Sequence, residues 1–261
     1  MSKPEGAALI PAATILLVRD GAQGLEVFMV VRHHQIDSFS GALVFPGGKV
    51  DKGDTHDSVR ARIDGADGLD DWEFSMRVAA IREAYEECGV LLAREEGTGA
   101  LVNAARLLAL EPMRDALNKN ELGIGDVLEK GGLRLAADLL TPFAHWITPN
   151  LMPKRFDTRF YLAAAPEDHL AVHDGSESVD SVWIRPADAL AEAEAGKRTV
   201  IFPTRMNVLK LGRHSHIADA IETARKTPVV TVEPKVDGAV LRIPAEAGYG
   251  VTEEPLTSVR R

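Results

Sequence analysis

The chain has 261 residues, 45% of them hydrophobic and 26% charged, an ordinary globular mixture that excludes disordered, collagen-like and disulfide-scaffold classes. With 39 acidic residues against 30 basic ones the formal charge is -9, so a grip on the backbone of a nucleic acid polymer, which needs a basic surface, is not expected. Cys88 is the only cysteine, and no basic segment with an apolar core and cleavage site opens the chain, so a cytoplasmic protein is expected. The longest apolar stretch, Ala7 to Val18, contains Pro11 and is too short to span a bilayer.

Ala12 to Val18 and Leu25 to Arg32 are aliphatic runs separated by Asp20-Gly21 and Gly24, which predicts two strands joined by a tight turn. Ala42 to Phe45 runs into Pro46-Gly47-Gly48, where the chain must bend and its backbone can approach a ligand closely. Residues 51–71 are polar with Gly53, Gly65 and Gly68, and read as a loop or insertion; the stretch from Thr55 to about Trp72 is expected to be a surface excursion without a core. Phe74, Val78, Ile81 and Tyr85 then recur at helical spacing, with Asp70 or Asp71 as cap and Gly89 as stop.

Asn103 to Leu117 is helix-favouring but broken by Pro112, and Ile124 to Lys130 adds a short helix before Gly131-Gly132. Strands are predicted at 143–148, 159–164 and 181–184, helices at 186–195 and 203–213, and short strand-like pieces at 229–232 and 240–243. Strands flanking one central helix, without regular alternation, argue an α+β class. The expected organisation is a single domain over 1–235, with insertions at about 55–72 and 99–135, and a C-terminal tail, 236–261, that ends in a polar stretch with little to bury.

Chemistry concentrates in Arg82-Glu83-Ala84-Tyr85-Glu86-Glu87-Cys88-Gly89-Val90. On a helix Glu83 and Glu87 stand one turn apart with Glu86 beside them. A solvated acidic face is the ordinary reading of such a run, but it fits poorly here. Glu83 and Glu87 repel, and Glu86 and Glu87 occupy the last turn, where the helix dipole disfavours negative charge. Hard oxygen ligands on one rigid face are what Mg²⁺ or Mn²⁺ selects.

With these residues the sequence resembles a Nudix hydrolase. Gly48 opens the family's box, Lys49 to Gly53 are its five spacer residues, and Arg82 to Gly89 close it. Asp54 stands where the family has glutamate, and 27 residues rather than seven separate it from Arg82. An interrupted box, with Phe45-Pro46-Gly47-Gly48, His145 to Pro149 and Arg155 to Thr158, resembles the branch containing the peroxisomal coenzyme A diphosphatase. The likeness runs from about Ala12 to about Gly212. It implies an α/β/α sandwich with a mixed central sheet and a metal-dependent hydrolase of a nucleoside diphosphate derivative, with coenzyme A or acyl-coenzyme A favoured. It further implies that Glu83, Glu86, Glu87 and the Gly48 carbonyl hold Mg²⁺ or Mn²⁺, and that Arg82 orients the glutamates. Either Glu86 or Glu177 takes the water proton, and Glu86 is favoured. Asp54 is expected to support the site through a water or a basic partner.

Substrate contacts are expected from Phe45 beside the glycine loop and from Arg32, Lys154 and Arg155, since an acidic protein needs placed cations to hold phosphate. His33 and His34 point to opposite faces of a strand, so at most one reaches the site. Asp37 stands where another coenzyme A branch carries an arginine. Cys88 is assigned no chemistry, and Trp146 and Trp183 read as core. The expected partner is a small-molecule diphosphate, with no membrane; a homodimer is left open. A Nudix-fold module that binds a nucleotide without cleaving it is the competing reading, disfavoured because all three closing glutamates and Arg82 are present.

Overall fold

In the computed structural model, which describes residues 7–32, 41–150, 152–169 and 178–256, the first long strand, β1 (Leu9–Gly21), is buried on both faces. Ala13, Ile15 and Leu17 enter one core and Leu16 and Val18 another, the two-residue alternation of a strand covered on both sides. The same alternation holds in β2 (Gly24–Arg32), where Phe28 and Val30 face the first core and Val27 and Met29 the second.

The remaining elements follow in chain order: β3 (Leu43–Val44), β4 (Gly47–Lys49), α1 (Asp57–Arg60), β5 (Ile63–Asp64), α2 (Asp71–Cys88), β6 (Ala93–Glu95), α3 (Ala104–Asn118), α4 (Ile124–Gly131) and β7 (Leu133–Ala136). After them come β8 (Thr141–Ile147), β9 (Arg155–Ala164), β10 (Ser178–Ile184), α5 (Pro186–Glu194), α6 (Phe202–Leu211), α7 (Ile217–Lys226), β11 (Thr231–Val232), β12 (Lys235–Asp237), β13 (Val240–Arg242) and β14 (Glu253–Pro255). The central sheet has the order β10-β2-β1-β9-β8-β11, with β3 added to β2 and β4 to β1. β1 runs parallel to β9 from the Leu9–Arg155 pair to the Val18–Ala164 pair, and antiparallel to β2 and β4. The sheet is therefore mixed, with α2 packed in the first core and α6 and α7 in the second. This is the expected α+β, α/β/α arrangement.

The helix α2 starts and stops as its sequence predicts. Asp70 accepts from the Glu73 N–H at 2.7 Å, and Gly89 takes the left-handed φ of 69°, which a residue with a Cβ adopts only at a cost. Pro112 does not break α3, which continues to Asn118. The helix α7 lay outside the sequence reading, although Ile217, Ala220, Ile221 and Ala224 carry its period.

Two expectations are overturned. The first is that residues 55–72 form a coreless surface excursion. Val59 is fully buried and Ile63 is 7% exposed, both in the first core. β5 pairs in parallel with β7, and β7 pairs with β6, making a small sheet of order β5-β7-β6. Arg134 of β7 reinforces this join, donating to Asp64 Oδ1 at 2.7 Å and to the Ala61 and Ile63 carbonyls. The two insertions thus fold on each other, with β5 of the first paired to β7 at the end of the second. The second expectation is that the polar end of the tail has little to bury, which Ala247 and Tyr249 contradict. Leu241, Ile243, Ala247 and Tyr249 lie in the second core, and the Tyr249 hydroxyl accepts from Trp146 Nε1 at 2.9 Å while donating to Asn207 Oδ1 at 3.0 Å. Trp146 is buried, as expected of a core residue.

Burial of Val59 and Ile63 sets a test. Losing large buried aliphatic side chains costs about 2–5 kcal/mol each, and two such losses approach the whole net stability of a domain. Excising residues 57–68 and rejoining the flanks is expected to abolish the cooperative thermal transition followed by circular dichroism. A shortened chain that melts like the full one would return this segment to the surface.

Candidate active site

Three pieces of chain meet at the glycine loop. β4 lies along β1 with Gly47 opposite Thr14 and Gly48 opposite Ala13. A Cβ at Gly47 would stand 2.7 Å from Thr14 Cα and 2.8 Å from its Oγ1, so only glycine lets the strand lie this close. A single 3₁₀ turn, Lys52–Thr55, follows. Its two aspartates cap it reciprocally: Asp51 Oδ1 accepts from Gly53 N–H at 2.7 Å, and Asp54 Oδ2 accepts from Asp51 N–H at 2.7 Å. That turn carries Asp54 inward until it is fully buried against α2.

There Asp54 meets Arg82. The guanidinium donates from Nε to Asp54 Oδ1 at 2.8 Å and from Nη2 to Asp54 Oδ2 at 3.1 Å, a forked pair. Its remaining donors reach the Lys49 carbonyl at 2.8 Å, Glu83 Oε1 at 2.9 Å and Glu86 Oε2 at 2.8 Å. Burial opposes the arginine's charge, but the Asp54 hydrogen bonds and the fields of Asp54, Glu83 and Glu86 outweigh it and hold its pKa above the ordinary value. Burial pushes the Asp54 carboxyl up, against the pull of the Arg82 fork. The basic partner of Asp54 is therefore the arginine of the box itself.

The glutamates close over the same strand. A Cβ on Gly48 would come within 2.6 Å of Glu83 Cδ and 2.7 Å of Oε2, so the Glu83 carboxylate rests against bare backbone. Glu87 Oε2 accepts from the Gly47 N–H at 3.1 Å. Glu83 is 11% exposed at its side chain and Glu86 21%, which makes Glu86 the more open of the two carboxylates that Arg82 holds. Among the described residues no three acidic, histidine or cysteine side chains stand in a ready-made metal cage. The donor set is nonetheless entirely hard oxygen, on one helix and one strand, which is the chemistry Mg²⁺ and Mn²⁺ accept.

The other expected contacts fare differently. Phe45 is 4% exposed and packs in the second core, so its ring is core and offers substrate no face. Arg155 is committed elsewhere, donating to the Thr148 carbonyl at 3.0 Å and to Glu233 Oε1 at 2.7 Å. It also stands four residues along β9 from Arg159, the position level with Gly48 through Ala13, about 13 Å at the usual strand rise. Lys154 is exposed, its Nζ 5.3 Å from the centre of the Phe156 ring. The Arg32 side chain, and all of His33, His34, Asp37 and Glu177, lie outside the described residues.

Sequence reasoning missed two features near α2. Arg114 of α3 donates to backbone carbonyls at the end of α2; in the sequence it is one arginine among many on a helix face, with nothing to mark it. At the other end of α2, Arg159 stacks on Trp72 at 4.7 Å, next to His145. His145 lies between Asp157 Oδ1 at 2.6 Å and Thr231 Oγ1 at 2.8 Å, and burial lowers its pKa against the pull of Asp157.

Comparison with known proteins identifies the family. A family model described as the NUDT19 Nudix domain matches residues 62–211. A protein of Caenorhabditis elegans named putative nudix hydrolase 7 is 31% identical over 208 residues, 80% of this chain and 61% of that one. The human acyl-coenzyme A diphosphatase NUDT19 is 29% identical over 203 residues, 68% of this chain and 51% of that one. The crystal structure of a NUDIX hydrolase from Alicyclobacillus acidocaldarius superposes with a TM-score of 0.68 at 27% identity, covering 82% of this chain and 96% of the other. The chain spans between half and two thirds of the length of these two curated relatives. It belongs to the Nudix hydrolase family, in the branch described by the NUDT19 Nudix domain.

The Asp54–Arg82 pair is open to measurement. Removing Asp54 leaves Arg82 its Glu83 and Glu86 partners but strands two buried guanidinium donors, at a cost of about 1–3 kcal/mol each. Asp54→Ala is expected to lose that much stability in denaturant titration, with Asp54→Asn losing less because it still accepts from Arg82. A loss below about 0.5 kcal/mol, the range of an ordinary surface substitution, would contradict the geometry.

Proposed function

We propose that this chain is a Nudix pyrophosphohydrolase that cleaves the diphosphate linkage of a nucleoside diphosphate derivative with the help of Mg²⁺ or Mn²⁺, and that coenzyme A or an acyl-coenzyme A is its substrate. The observation that carries the reading is the convergence of Glu83 and Glu87 on the Gly47–Lys49 strand, with Glu83 and Glu86 held by one buried arginine. Glu83, Glu86, Glu87 and the Gly48 carbonyl would hold the metal. Bound there, a divalent ion neutralises diphosphate charge and lowers the pKa of water.

The chain's own residues do the rest. Arg82 fixes two of the carboxylates from below, so that they need little reorganisation when substrate arrives. A carboxylate oxygen of Glu86, the more open of that pair, accepts the proton of the attacking water. Phosphoryl transfer asks a protein chiefly for this positioning and charge neutralisation. The coenzyme A assignment is supported by the interrupted box and by the human relative named an acyl-coenzyme A diphosphatase. With Arg155 engaged by Glu233, exposed Lys154 is the described candidate for the additional ribose phosphate. A nucleotide sugar or a dinucleotide is the alternative substrate.

Incubation of the purified chain with coenzyme A and Mg²⁺ or Mn²⁺ is expected to yield phosphopantetheine and an adenosine bisphosphate by mass spectrometry. Glu87→Gln is expected to lower turnover by at least about 100-fold, since even residues behind metal ligands cost 10–100-fold, while the thermal midpoint stays within a few degrees. Intact coenzyme A beside clear cleavage of another diphosphate would overturn the substrate. Full turnover by Glu87→Gln across a metal titration would overturn the ligand set.

A further inference from the structure

The last turn of α2 is electrostatically awkward. A helix end leaves carbonyls without intrahelical partners and carries partial negative charge. α2 has no basic residue in its last turn, and it adds Glu86 and Glu87 there. The left-handed turn at Gly89 serves part of the need, with the Gly89 N–H on the Tyr85 carbonyl at 3.0 Å and the Val90 N–H on that of Ala84 at 3.2 Å.

The remaining help comes from α3, inside the second insertion. Arg114 Nε donates to the Tyr85 carbonyl at 2.7 Å and to the Glu86 carbonyl at 3.2 Å, and Nη2 donates to the Glu86 carbonyl at 3.0 Å. Asn118 Nδ2 adds a longer contact to the same oxygen at 3.4 Å. Glu111 Oε1 holds Nη1 at 3.0 Å from one turn away, so the guanidinium plane is fixed from its own helix. The Tyr85 hydroxyl donates to the Leu110 carbonyl at 3.0 Å, a second tie between the same two helices. The Arg114 side chain is 11% exposed.

From this we infer that Arg114 is a positioning residue for the carboxylate end of α2: it clamps the backbone of Tyr85 and Glu86, and through it sets where Glu86 and Glu87 stand over the glycine loop. The inference rests on the proposal that these glutamates hold a divalent ion. Geometry and charge make opposite demands on this residue. If Arg114 mattered only as a nearby positive charge, removing it would tighten cation binding. If it positions ligands, removing it loosens them and weakens binding. The planar fork reaches two carbonyls at once, which a lysine ammonium on a flexible stem does not reproduce. The Glu111 pairing offsets part of its charge, which favours the positioning role.

The test is Mn²⁺ binding to the full chain by titration calorimetry, well below the melting temperature, for wild type, Arg114→Lys and Arg114→Ala. Arg94→Ala, which breaks a salt network with Asp64 of β5 and Asp138, controls for general destabilisation. Arg114→Ala is expected to bind Mn²⁺ about 10–100-fold more weakly, the usual cost of losing a group that orients ligands. Arg114→Lys should fall between the two, and Arg94→Ala should match wild type. With substrate, kcat should fall in Arg114→Ala while KM holds. Wild-type or tighter Mn²⁺ affinity in a folded Arg114→Ala protein would overturn the inference alone. Absence of Mn²⁺ binding by wild type would overturn it together with the metal reading. Should Arg114→Ala fail to fold, Arg114→Lys decides: unchanged affinity and kcat there would overturn the clamp.

Discussion

An arginine side chain has five N–H donors, and Arg82 uses five hydrogen bonds to join three pieces of the site. Two go to Asp54 in the 3₁₀ turn, one to the Lys49 carbonyl on β4, and two to Glu83 and Glu86 on its own helix. Because the guanidinium is buried, its bonds to Asp54 and Glu83 are shielded from water, and an unmet donor would carry a desolvation penalty. Lysine has three donors and no planar fork, so it cannot make the same join. The glycine loop, the acidic helix and the aspartate that replaces the family's glutamate are in register because one cation requires all of them.

That requirement explains how the box tolerates so long an interruption. The excursion leaves after Thr55 and returns at the start of α2, and its two ends are drawn together by the ion pair of Arg60 Nη2 with Asp71 Oδ1 at 2.7 Å and by Arg60 lying over the Phe74 ring. Asp54 and Arg82 then meet as they would across a short spacer. Loop-closure entropy grows only slowly with length, so a longer connection costs little once both ends are held. The inserted chain also contributes Val59 and Ile63 to the core and an edge strand to β7. It is a structural addition to the sandwich, and the second insertion completes it.

How much of this is legible in the sequence depends on how local the signal is. The cap at Asp70, the stop at Gly89, the glutamates of α2 and the alternation in β1 are written in neighbouring residues, and the structure places them as read. Two-residue strands such as Ile63–Asp64 leave no period to detect, so the join between the insertions is invisible until the fold brings β7 alongside. Phe45 and Arg155 show a different failure. Their residue types suit a binding site, but exposure and prior partners decide availability, and both depend on distant chain: Phe45 on the second core, Arg155 on Glu233. The end of the tail differs from its sequence reading for a similar reason, because Ala247 and Tyr249 look sparse among polar residues yet both reach the second core.

The sequence also posed an electrostatic question, namely what positive charge sustains three glutamates at a helix end. Each unfavourable i,i+4 pair costs only about 0.2–0.5 kcal/mol in an isolated helix, a sum that tertiary contacts can offset. Arg82 meets Glu83 and Glu86 from beneath, and Arg114 meets the helix carbonyls from α3. The three glutamates of this helix end still outnumber the two guanidinium groups that meet it. On the proposed reading, the residual charge of these carboxylates gives a divalent cation its reason to enter.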